Sequence, residues 1–205
     1  MDFTGIIAEY DPFHNGHAAQ IAAVRAAGAQ CIAVCMSSGA VQRGGVPILP
    51  ERVRVQAALA AGADIVIALP APYACATAEQ FAAAGVYLLA ALGCDTLAFG
   101  AETPDAGALL DAARLLQCEE IDDVIRKNLA TGMTYAAARA EAADTLRPGT
   151  GTLLRTPNNI LGIEYCKAIL AQHTPLTPFA LPRLGAAHGG GAGEHAGTPM
   201  ASASF

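Results

Sequence analysis

Two patterns of apolar and polar positions alternate along the first hundred residues. Short apolar runs, "TGIIA" (4–8), "CIAVCM" (31–36), "DIVIAL" (64–69) and "TLAF" (96–99), read as strands. Between them lie longer alanine-rich stretches with helical spacing, 18–27, 51–61 and 77–92. Runs apolar at nearly every position belong to strands covered on both faces, so the alternation predicts a parallel sheet with helices on each side. The expected fold class is therefore α/β, a doubly wound parallel sheet.

Beyond Pro104 the pattern turns helical, with predicted helices over 105–117, 120–130, 134–146 and 159–171. "TPLTPFALPR" (174–183) offers one more strand, and its prolines place it at an edge. Residues 185–205 hold so much glycine that a loop is expected there. The resulting division is one domain over 1–184, with a helical insertion at about 105–171, followed by a glycine-rich segment at 185–205. No internal repeat is present.

With 205 residues the chain can bury a substantial core. Its net charge of −6 and its two lysines, Lys127 and Lys167, argue against broad binding to a nucleic-acid backbone by this portion alone. A local cluster drawn from Arg43, Arg52, Arg54, Arg155 and Arg183 still suits a small phosphate ligand. No run of about twenty apolar residues occurs, and "MDFTG" lacks the features of a signal peptide. A cytoplasmic location is expected, with no membrane and no DNA partner. The six cysteines, Cys31, Cys35, Cys75, Cys94, Cys118 and Cys166, form no CxxC pair and read as reduced thiols.

The chemistry concentrates in "EYDPFHNGH" (9–17), directly after the first strand. Ligands of open α/β sheets sit at the carboxyl ends of the strands, against the start of the following helix. Gly16 permits close approach of a phosphate, and the free amides of that helix attract an anion. His14 and His17 flank the glycine and can donate to phosphoryl oxygens as charge develops on a leaving pyrophosphate. The alternative is a pair of turns, Asp11-Pro12 and Asn15-Gly16, with exposed histidines. Position after the first strand weighs toward function.

Other candidates are more evenly balanced. "GAVQRG" (39–44) has Walker-loop glycine spacing but lacks the following Lys and Ser/Thr. "SSGAVQRGG" (37–45) reaches the same sheet edge, where Gln42 and Arg43 either contact substrate or decorate a solvated turn. "LAFGAE" (97–102) ends the fourth strand at Gly100, either as bare backbone for an adenine or ribose or as a simple turn. In "RTPNNILGIEY" (155–165), Asn158 or Asn159 caps a helix or reads a nucleotide. His188 and His195 lack the partners of a metal site.

Taken in order, "GIIAEYDPFHNGH", "MSSGAVQRGG", "GADIVIALPAPYACATAEQFAAAGVYLLAALGCDTLAFGAE", "TGMTYAAARAEA", "PNNILGIEY" and "ASAS" resemble the tRNA(Met) cytidine acetate ligase family of the HxGH nucleotidyltransferases, from Gly5 to the last residue. The resemblance implies that ATP and acetate give acetyl-adenylate and pyrophosphate. The acetyl group then passes to the wobble cytidine of elongator tRNA(Met), forming N4-acetylcytidine. Matched residue by residue, it implies ATP contacts at Ile7, Ala8, Glu9, Tyr10, Asp11, Pro12, Phe13, His14, Asn15, Gly16, His17, Ala18, Ala19 and Gln20, and at Gly100, Asn159 and Arg183. His14 and His17 would be catalytic, and Mg2+ would accompany the ATP.

Three departures stand out. Asp11 replaces the family's usual Asn, bringing a carboxylate near phosphates. Pro50-Glu51 replaces an Asp-Lys pair. The chain also stops at "ASASF", before the Ile-Arg that the family's pattern places next, so the resemblance implies a C-terminally truncated member. Two other readings remain: a small-molecule adenylyltransferase using the same loop, or a non-catalytic nucleotide-binding remnant.

Overall fold

A computed structural model describes residues 1–183, together with the backbone of the short strands at 193–195 and 198–200. Four strand-helix units open the chain: β1 (Phe3–Ala8) and α1 (Asn15–Ala26), β2 (Cys31–Ser37) and α2 (Glu51–Ala60), β3 (Ile65–Leu69) and α3 (Ala78–Leu92), then β4 (Thr96–Ala101) and α4 (Ala106–Leu115). Four more helices follow, α5 (Glu119–Ala130), α6 (Tyr135–Leu146), α7 (Thr150–Leu153) and α8 (Pro157–Ala171), before β5 (Thr177–Pro182). The five strands form one parallel sheet in the order β3-β2-β1-β4-β5. The α/β doubly wound expectation holds, and the proline-bounded strand lies at the sheet edge.

Strand residues alternate between two apolar layers. Ile6, Ile32, Val34, Met36 and Ala98 face the α1 and α2 side with Ile21, Val24 and Ala58. Ile7, Ala33, Cys35, Leu97 and Phe99 face α3 and α8 with Phe81, Val86, Leu89 and Ile163. Both layers are apolar and buried, which is why the strands read as nearly continuous apolar runs. Two helix glycines set how closely the second layer packs. A Cβ on Gly85 would stand 2.6 Å from Ile7 Cδ1, and one on Gly162 would stand 2.6 Å from Phe99 Cε2. Only hydrogen fits at either place, so α3 presses on β1 and α8 on β4.

The element α7 was not visible in the sequence, because four residues, "TGTL", are too few to show a period. The glycine-rich segment differs from expectation in one respect: β6 (Gly193–His195) pairs antiparallel with β7 (Thr198–Met200). Residues so near in sequence close a ladder at little entropic cost, whatever their side chains. The remainder of that segment, including His188, lies outside the described residues. All six cysteines are free, and burial pushes the Cys35, Cys94 and Cys166 thiols up to about 12. No helix among the described residues is long and apolar enough to cross a membrane.

Strand order reverses at β1, with β2 and β3 on one side and β4 and β5 on the other. The ladder between β1 and β4 joins only Thr4 to Thr96 and Gly5 to Leu97, whereas β1 pairs with β2 along its whole length. The two strands thus part toward their carboxyl ends, and a crevice opens where an α/β sheet places its ligands.

Candidate active site

A cavity of about 480 Å³ fills that crevice. Ile7 and Ala8 of β1 form one wall, Phe99 and Gly100 of β4 the opposite one, and Leu181 and Pro182 at the end of β5, with Arg183 just after it, close it. The space in front of Gly100 is open: a Cβ there would meet no atom within 4 Å. Across the mouth lie His14, Gly16, His17 and Gln20 of the α1 start.

The local geometry of the two histidines follows from helix capping. His14 is the N-cap of α1; its Nδ1 accepts the Gly16 N–H at 3.1 Å. His17, three residues on, accepts the His14 N–H on its own Nδ1 at 3.3 Å. This reciprocal box satisfies helix-end amides with imidazoles in place of the usual Ser and Glu. It also fixes the tautomer. A neutral ring whose Nδ1 accepts must carry its proton on Nε2, so each ring keeps one N–H donor for a ligand.

Both rings are held neutral. Burial, with Arg183 nearby, lowers His14. Burial, His14 and Arg183 together bring His17 down to about 3. The rings stack, centroids 3.7 Å apart, and the Tyr10 ring lies 4.7 Å from that of His17. Tyr10 adopts φ 53° and is almost fully buried, with Phe13 edge-on at 4.8 Å. Aromatic packing therefore supports the pair from behind, and Arg183 supplies positive charge beside them. Two N–H donors, a cation and the amino end of α1 form a surface suited to an anion.

The carboxylates of the loop are already engaged. A Glu9 carboxylate oxygen accepts the Gln42 N–H, and Asp11 Oδ1 accepts the Ile48 N–H at 2.6 Å. Asp11 thus ties the α1 entry to the segment between β2 and α2. Arg43 from that segment reaches the cavity; Gln42 does not line it. Of the expected contacts, Ile7, Ala8, Glu9, Tyr10, Asp11, His14, Gly16, His17, Gln20, Gly100 and Arg183 line the cavity, while Pro12, Phe13, Asn15, Ala18, Ala19 and Asn159 do not.

The two adjacent asparagines divide their labour. Asn158 lines the cavity; Asn159 is buried, its Oδ1 accepting the Thr103 N–H at 2.9 Å and its Nδ2 donating to Thr103 Oγ1 at 3.1 Å. Glu102 receives the backbone N–H of both and Nδ2 of Asn158, so it caps α8 from the end of β4. Burial raises the Glu102 carboxyl, but those hydrogen bonds outweigh it and the net shift is downward. Among the arginines grouped by sequence, Arg52 and Arg155 are exposed outside the cavity, and Arg54 is buried and bound to carbonyls. Sequence reasoning did not single out Phe99, Leu161, Tyr165 and Leu181 as cavity walls. The only available signal was that Phe99 and Leu181 fall near strand ends.

No group of three or more His, Cys, Asp or Glu side chains among the described residues is arranged to hold a metal ion. With one oxygen each bound to a backbone amide, Glu9 and Asp11 do not make a protein cage. An ion at this place would have to arrive on phosphates and keep most of its waters.

Comparison with known proteins agrees with this geometry. A family model for the HIGH nucleotidyl transferases matches residues 1–205. A tRNA(Met) cytidine acetate ligase of Syntrophotalea carbinolica is 45% identical over 195 residues, which is 92% of this chain and 46% of the relative. One from a Geobacillus species is 41% identical over 187 residues, covering 90% and 46%. A crystal structure of Thermotoga maritima TmcAL bound with alpha-thio ATP superposes with a TM-score of 0.83 at 28% identity, covering 90% of this chain and 47% of that one. The chain spans about half the length of the curated relatives it matches.

Proposed function

The chain belongs to the HIGH nucleotidyl transferase family, and on that premise we propose that residues 1–184 form an ATP-binding unit that activates acetate for transfer to elongator tRNA(Met). The observation that carries this reading is the pair of neutral imidazoles, each with Nε2–H left over, at the mouth of the crevice between β1 and β4. The named activity of the relatives and the ATP analogue held by the Thermotoga protein support it.

In this reading an acetate oxygen attacks the α-phosphorus of ATP as the bond to the β-phosphate oxygen breaks, and pyrophosphate leaves with the electron pair. His14 and His17 donate to oxygens whose negative charge grows in that step, and Arg183 and the α1 amino end add to the field. Neutral donors suit the task, since they need not shed a proton when product leaves. A magnesium ion carried on the nucleotide would neutralise phosphate charge there. The exocyclic amine of the wobble cytidine then attacks the acetyl carbon, AMP departs, and the amine loses one proton. Gly100 gives the adenosine an uncrowded backbone to lie against.

Calorimetric titration with ATP, followed by acetate-dependent release of pyrophosphate, tests the first half-reaction. The second is tested by the appearance of acetylated cytidine in methionine tRNA. Adenylylated small molecules with unmodified tRNA would overturn the assignment. Absence of ATP binding would overturn the site itself.

A further inference from the structure

Residues 38–50 join β2 to α2 without a helix or ladder, yet they bring Val41, Arg43 and Ile48 to the cavity. A loop of this length inside a compact fold needs outside support. Part of it comes from Glu9 and Asp11, which accept the Gln42 and Ile48 amides. The rest comes from Arg54 on α2, which is only 1% exposed. Its Nε donates to Leu49 O at 3.2 Å and its Nη2 to Ser38 O at 2.5 Å, so one guanidinium holds both ends of the loop. Its Nη1 donates to Ser37 O and to Glu9 O, both at 2.8 Å, joining the exits of β2 and β1.

We propose that Arg54 is a positioning residue of the nucleotide site, fixing the 38–50 loop and the β1 exit in one frame. This rests on the ATP reading above only for its effect on affinity. Every hydrogen bond Arg54 makes runs to a backbone carbonyl, and none of the ion pairs among the described residues includes it. Burying a cation without a carboxylate is costly, and the cost is met here by carbonyl dipoles converging at the carboxyl ends of two parallel strands. The planar fork matters, because a lysine ammonium cannot reach three chain segments at once. Through Glu9 the clamp acts on the turn that carries His14 and His17. Through Ser38 and Leu49 it acts on Arg43.

Native-state hydrogen exchange on the unmodified chain is the first test. The Gln42 and Ile48 amides should exchange at least about a hundredfold more slowly than in an unstructured peptide; rates at the unstructured level would overturn the proposal. In Arg54→Lys and Arg54→Met both amides should exchange roughly tenfold faster or more, while α4 to α6 keep their protection. The ATP dissociation constant should rise by about tenfold, less for Lys than for Met. Ile121→Val, a remote core change, should move neither readout. A folded variant with unchanged exchange and ATP affinity within twofold would overturn the proposal. Failure of both variants to fold would replace it with a purely structural role. If the unmodified chain binds no ATP, the nucleotide reading fails while the exchange measurements still judge the clamp.

Discussion

The imidazoles of His14 and His17 stack at 3.7 Å with 20° between their planes, each with Nδ1 committed to a backbone amide of the α1 entry. Capping and, in the proposed reaction, chemistry fall to the same two side chains. The helix end dictates which nitrogen is left over, and both residues line the cavity.

Separating the two roles of His17 gives a direct test. In His17→Asn, Oδ1 can take the place of Nδ1 and keep the cap, but no donor remains where Nε2 was. In His17→Gln the amide nitrogen extends to the lost donor position. Acetate-dependent pyrophosphate release should fall by about a hundredfold in the Asn variant and by less in the Gln variant, with melting temperatures close to the parent. Equal losses in both would mean that the Nε2 donor is not what His17 supplies.

The lowered pKa of His17 also makes stability depend on pH. The folded ring takes up a proton only near 3, whereas the unfolded ring does so near its ordinary 6.5. Between those values the unfolded state binds more protons, so stability is intact above about 6.5 and declines as pH falls toward 3. His17 alone contributes a slope of up to about 1.4 kcal/mol per pH unit in that window. His14, lowered by burial and by Arg183, adds in the same direction. Urea midpoints measured from pH 7.5 down to 5 should drop more steeply for the parent than for His17→Asn, and parallel curves would contradict the assignment.

Much of this architecture was legible in the sequence because covered strands and alanine-rich helices leave a strong two-state pattern. The histidine turn was legible because its place after β1 is fixed by topology. What could not be read depended on packing phase. Asn158 and Asn159 are chemically identical neighbours, and only the rotation of α8 against β4 sends one to the cavity and the other to Thr103. Arg54 looked like a phosphate ligand because an arginine near a helix start ordinarily faces solvent, and nothing local announces four carbonyls converging on it. Asp11 carried a warning of repulsion that its bond to Ile48 partly explains.

Gly100 and Gly85 make contrasting predictions from the same substitution chemistry. A side chain at Gly100 enters open space, so Gly100→Leu should fold with stability near the parent and lose ATP affinity by at least about tenfold, as read by calorimetry. A methyl at Gly85 meets Ile7 at 2.6 Å, so Gly85→Ala should lower stability by roughly 1–3 kcal/mol in urea unfolding. Destabilisation by Gly100→Leu without loss of ATP would place the nucleotide elsewhere.

Asp11 separates charge from geometry. In Asp11→Asn the amide oxygen can still accept the Ile48 N–H, so the tie to the β2–α2 loop persists. The carboxylate charge at the cavity wall disappears, and with it repulsion toward an incoming polyphosphate, worth on the order of 1 kcal/mol near a protein surface. ATP affinity should therefore rise by about fivefold at low salt, AMP affinity should change less, and added salt should shrink the difference. Titrations of both nucleotides against both proteins measure this directly. A weaker rather than tighter ATP complex in the Asn variant, restored by excess magnesium, would show instead that Asp11 helps to hold the metal that the phosphates carry in.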